Sequence, residues 1–119
     1  MILKTGAKMM LAVFVVKGKV SHDLCKRVVH KIVKEIGLNL VPGAVTYNYP
    51  YKGKGGVGFT FIQPITESFI AWDVWEDMKG GYLIICSCKL FWVSCVTKVL
   101  KSAGLSVIKT LNEGLSLDS

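Results

Sequence analysis

Ser68 follows Glu67 in the run Thr66-Glu67-Ser68-Phe69-Ile70-Ala71-Trp72-Asp73-Val74-Trp75, and Cys88 comes twenty residues after the serine. A serine hydroxyl can attack the carbonyl that precedes it and turn the amide into an ester. Loss of the serine α-proton then expels the ester and leaves dehydroalanine, which hydrolyses to a pyruvoyl group and ammonia. This chemistry needs a strained Xaa-Ser bond, a donor for the oxyanion and a base near the α-carbon. A Glu-Ser pair alone carries no such signal, and it reads equally well as a hairpin turn at 66–68.

The elements that must hold this pair follow from pattern. The run Met9 to Val16 is apolar throughout and reads as a buried strand. Ser21 suits a helix N-cap, Asp23 opposes the helix dipole, and Leu24, Val28, Ile32, Val33 and Ile36 keep helical spacing up to Gly37. Residues 38–51 read as extended, with Val45, Tyr47, Tyr49 and Tyr51 on one face. A glycine- and lysine-rich loop, 52–56, separates them from strands near 57–65 and 68–75, with Pro64 marking an edge or bulge. A strand at 82–88, a helix over about 90–103 and a strand at 105–111 complete the order, with a frayed tail after Asn112.

This order implies a single α+β domain over 1–119: a two-layer sandwich, mainly antiparallel sheet, with two helices on one face. The other face would still carry large apolar residues, among them Phe59, Phe61, Phe69 and Trp75. A bare face of that kind predicts a homodimer, sheet against sheet.

Composition narrows the classes. Half of the 119 residues are hydrophobic and 19% are charged, so the chain is globular rather than disordered. No apolar run approaches the roughly 20 residues of a membrane span, and the N-terminal residues lack a signal-peptide pattern, so the expected location is cytoplasmic. The net charge of +7 comes from dispersed lysines and a single arginine, Arg27, which suits a solvated surface better than a nucleic-acid footprint. The segment Tyr47 to Gly56 mixes tyrosines with lysines and is where a base would stack in a nucleic-acid reading. Cys25, Cys86, Cys88 and Cys95 find no histidine or second pair at zinc spacing, and Cys25, Cys86 and Cys95 suit buried small hydrophobes. His22 and His30 lie eight apart on the first helix and form no close ligand pair.

The stretch from Thr66 to Trp75, with Cys88, resembles the self-cleavage strand of the short prokaryotic S-adenosylmethionine decarboxylases. Thr66, Glu67, Ser68, Ile70, Trp72 and Trp75 stand in register with that family's motif, and the element order agrees over residues 8–111. Thr60 falls where the family has a serine that assists processing, and Ser87-Cys88 resembles its Thr-Cys. The resemblance implies that Glu67–Ser68 is the cleavage site and Ser68 the precursor of the pyruvoyl cofactor, formed only if the chain is processed. It implies that Cys88 protonates the carbanion left by CO₂, that Thr60 supports the ester step, and that Glu67 and one of Tyr47, Tyr49 and Tyr51 contact substrate. Asp73 stands where the family histidine takes the serine α-proton, and a carboxylate is a weaker base than an imidazole. Phe69 replaces a second histidine, Val13 the glutamate that holds the ribose, and Ile84 an aspartate.

Three functional expectations result. The first is a divergent, unprocessed homologue with lost or weak decarboxylase activity, which binds a small molecule or pairs with an active relative. The second is an active pyruvoyl-dependent decarboxylase of S-adenosylmethionine, in spermidine synthesis, or of another amino acid. The third is a basic module for nucleic acid or a small ligand.

Overall fold

A computed structural model describes residues 8–50 and 56–117. Among them, strands β1 (Met9–Lys17), β2 (Val45–Tyr49), β3 (Gly58–Ile65), β4 (Ser68–Trp75), β5 (Gly80–Ser87) and β6 (Ser106–Leu115) form one sheet in the order β2-β3-β4-β5-β1-β6. Every neighbouring pair is antiparallel. Helices α1 (His22–Glu35) and α2 (Val93–Ser102) cover one face, as the element order implies. Strands β2 to β5 run as a meander, and β1 is then inserted between β5 and β6 by the two helical crossovers.

Local chemistry sets the helix ends. The Leu24 N–H donates to Ser21 Oγ at 3.1 Å, satisfying a donor that the first turn leaves free. At the other end Gly37 takes φ +73, and the Leu38 N–H reaches back to the Val33 carbonyl at 2.9 Å. α2 ends the same way: Gly104 takes φ +83 and the Leu105 N–H donates to the Leu100 carbonyl at 3.0 Å.

The core lies between the helices and the covered sheet face. Ala12, Phe14 and Val16 of β1, Ile70, Trp72 and Val74 of β4, and Leu83 and Ile85 of β5 meet Cys25, Val29, Ile32, Val96 and Leu100. Phe59 and Phe61 belong here too, each 1% exposed, rather than on the uncovered face expected of them. The reason is register: both alternate with Thr60, and Thr60 faces away from the helices opposite Asp73. Phe69 and Trp75 do lie on the uncovered face, exposed by 39% and 42%.

Three boundaries differ most from expectation. β2 covers only 45–49, and within 38–44 the chain instead bridges to β3 through Leu40 and Ile65. α2 begins at Val93, because Ser87 Oγ holds the Lys89 N–H and carbonyl in a turn first. β6 runs to Leu115 rather than fraying after Asn112, since β1 offers Met9 to Ala12 as partners for residues 112–115. Tyr51 and the lysine loop at 52–55 lie outside the described residues. No helix among the described residues is long and apolar enough to cross a membrane.

Candidate functional site

The sequence-predicted site residues fall into two groups at opposite ends of β4. At its start, the β3–β4 hairpin turns through Thr66 and Glu67, with Ile65 and Ser68 paired across it. Asn39 anchors this turn. Its carbonyl accepts from the Thr66 N–H at 2.8 Å, its own N–H donates to Glu67 Oε1 at 3.1 Å, and its side-chain amide donates to Glu67 Oε2 at 2.9 Å. Glu67 is only 6% exposed. Burial pushes its carboxyl up, but the Asn39 donors, its own N–H and the Lys89 charge prevail and hold it below the usual range. This fully engaged carboxylate is a turn anchor as the chain stands.

Ser68 carries one of the features that self-processing demands. Its φ is +152, a region that side chains avoid and glycine tolerates. The carbonyl of Glu67, the atom Ser68 would attack, accepts a hydrogen bond from the Cys88 N–H at 3.0 Å. An amide so placed polarises the carbonyl and would stabilise an oxyanion on it. Cys88 thus sits beside the Glu67–Ser68 bond through its backbone, with its side chain half-buried. Ser68 pairs with Ser87, whose hydroxyl is wholly buried.

The second group lies toward the far end of β4 on the uncovered face. Thr60 and Asp73 are register partners, and the Thr60 hydroxyl donates to Asp73 Oδ1 at 2.9 Å. With its proton so committed, Thr60 accepts from the Tyr49 hydroxyl at 2.6 Å. The Trp75 indole N–H donates to Asp73 Oδ2 at 2.9 Å. Both carboxylate oxygens are therefore engaged. Gly81 makes the approach possible: a Cβ there would strike the Asp73 carbonyl oxygen.

Five residues separate Ser68 from Asp73 along one strand, about 17 Å at ~3.4 Å per residue. An odd spacing also turns the two side chains to opposite faces in a regular strand. One chain does not bring this carboxylate to the serine. Nor does a histidine stand in: His22 stacks on Phe59 at 4.0 Å with its Nε2 against Asn48 Oδ1 at 2.7 Å, and His30 is exposed on α1. Val13 and Ile84 are paired with each other on the uncovered face between the two groups, and neither side chain has an atom that can accept a hydrogen bond.

The fold has a solved counterpart. The crystal structure of the adenosylmethionine decarboxylase from Aquifex aeolicus VF5 superimposes with a TM-score of 0.61 over 92% of this chain and 88% of that one, at 10% identity. The chain has the fold of an adenosylmethionine decarboxylase. At that identity the likeness shows architecture alone. By sequence, no protein-family model matches the chain, and no curated protein does.

Within the adenosylmethionine decarboxylase fold, two contributors had no sequence signal. Asn39 meets Glu67 from 28 residues away, and Lys89 reaches the Gly37 carbonyl at 2.7 Å across 52. A cavity of about 980 Å³ lies elsewhere, lined by residues such as Met10, Ile36, Phe91 and Trp92, and holds none of Ser68, Cys88, Thr60 or Asp73.

Proposed function

We propose that this chain is a divergent, unprocessed homologue of the S-adenosylmethionine decarboxylases, with lost or weak decarboxylase activity. The observation that carries this reading is the state of Asp73. Its two oxygens are taken by Thr60 and Trp75, and a carboxylate, the weaker base, stands where the resemblance implies an imidazole. The apolar pair Val13 and Ile84 supports the same reading, because a nucleoside substrate needs acceptors for its ribose hydroxyls.

The proposed working form is a homodimer through the uncovered face. A row of apolar residues crosses the whole sheet there: Val45, Ile62, Ala71, Ile84, Val13 and Leu111 stand side by side in register. Such a stripe favours burial against another apolar surface. The role that remains is binding a small molecule or pairing with an active relative, in the cytoplasm.

A second reading, an active pyruvoyl-dependent decarboxylase, is favoured by one specific observation: strained Ser68 with the Cys88 N–H on the Glu67 carbonyl. A pyruvoyl group, if formed from Ser68, supplies an electron-withdrawing carbonyl for a substrate amine. This chain provides the serine and the oxyanion donor but no base at the α-carbon, so a second copy packed on the uncovered face would have to bring one.

Intact mass under denaturing conditions tests both. A single full-length species supports the unprocessed reading. Fragments 1–67 and 68–119, the latter with a blocked N-terminus, would overturn it in favour of the enzyme. Absence of CO₂ release from S-adenosylmethionine completes the first outcome.

A further inference from the structure

We propose that β6 is a second self-association surface, which pairs antiparallel with β6 of another copy about a two-fold axis at Leu111. The sheet has two edges, and they are built differently. β2 is five residues long and runs straight into Pro50, a short edge of the kind that discourages pairing. β6 is ten residues long, contains no proline and, among the described residues, pairs as a strand on one side only, with β1.

Its sequence is complementary to itself. In an antiparallel pair centred on Leu111, Lys109 of each copy stands opposite Glu113 of the other, and Thr110 opposite Asn112. Lys109, Leu111 and Glu113 pair with Val15, Val13 and Leu11 of β1, so all three project from the same sheet face. The two-fold therefore makes two Lys–Glu pairs flanking a Leu–Leu contact. Directly opposed unlike charges favour pairing, and any shift of register by two residues sets them out of step. An edge lysine ordinarily repels another edge; here a matching glutamate receives it.

The exposed side chains fit this occupant. Leu111 and Leu115 are 51% and 55% exposed, although they belong to a regular strand. Ile108, 63% exposed, is the extra residue where the β1–β6 register shifts, and in the proposed pair it faces Gly114, which has no side chain to oppose it. The product is a continuous twelve-stranded sheet. It covers none of β2 to β5 and meets the face-to-face homodimer only along β6, at Leu111 and its neighbours, and it doubles the size of that assembly when both form.

Sedimentation velocity of the full chain, with Lys109→Glu, Glu113→Lys, the double charge swap and Ile84→Arg, tests this. Circular dichroism confirms that each variant is folded. Either single reversal should raise the dissociation constant on the order of tenfold or more and halve the assembly mass, because both symmetric pairs become repulsive. The double swap should restore it, and Ile84→Arg should leave the edge-paired species intact. A wild type that stays monomeric overturns the proposal. So does a dimer insensitive to the charge reversals but broken by Ile84→Arg, which leaves the face-to-face reading standing alone. Failure of the double swap to rescue overturns it as well.

Discussion

The Thr60 hydroxyl donates to Asp73 Oδ1 at 2.9 Å while accepting from the Tyr49 hydroxyl at 2.6 Å, so one threonine relays a hydrogen-bond chain across β2, β3 and β4. Thr60→Val removes a donor and an acceptor together and should cost about 1–3 kcal/mol in urea unfolding. Tyr49→Phe should cost less. The double variant should cost less than the sum, because both changes break the same chain. Additive losses would mean that the chain is not a unit.

Asn39 and Glu67 predict the acid limb of stability. Glu67 is held below its ordinary 4.5 in the fold by donors that outweigh its burial. A lowered folded pKa means that the unfolded chain takes up the proton first. Its contribution is therefore full above about 4.5 and is lost as pH falls through the lowered folded value. Glu67→Gln should flatten the fall in unfolding free energy below that pH, and Asn39→Ala should lower stability at neutral pH. Unfolding midpoints from pH 2 to 7 check both, and an unchanged acid slope in Glu67→Gln would count against the assignment.

Ser68 stores backbone strain at the bond that would be cleaved. Ser68→Gly relieves it and should raise stability by about 1 kcal/mol, where an ordinary strand serine replaced by glycine loses that much. Ser68→Ala keeps the strain and should leave stability near that of the parent. Urea midpoints distinguish the two.

Gly81 is needed because a Cβ there meets the Asp73 carbonyl and crowds Val74. Gly81→Ala should destabilise the fold by about 3 kcal/mol and disturb the Asp73–Trp75 contact, seen as a shift in tryptophan emission.

Cys25 is wholly buried, and burial pushes its thiol up to about 12 despite the nearby Lys26 charge. Alkylation of the native protein near pH 8 should spare Cys25 and modify the half-buried Cys86, Cys88 and Cys95, as peptide mapping would show. Rapid labelling of Cys25 would mean that α1 opens locally.

Much of the fold was legible in the sequence because its signals are local. Ser21 and Gly37 bound α1 through their own capping chemistry, and the period of two in β3 and β4 identifies a hairpin around Thr66 and Glu67. What only the tertiary structure decided depends on partners far away in the chain. The insertion of β1 between β5 and β6 set Val13 against Ile84 and kept β6 in the sheet to Leu115. The hydrogen bond from the Cys88 N–H to the Glu67 carbonyl, and the anchoring of Glu67 by Asn39, join groups 21 and 28 residues apart. Long-range pairings of this kind leave no periodic trace, since each depends on which strand lies beside which.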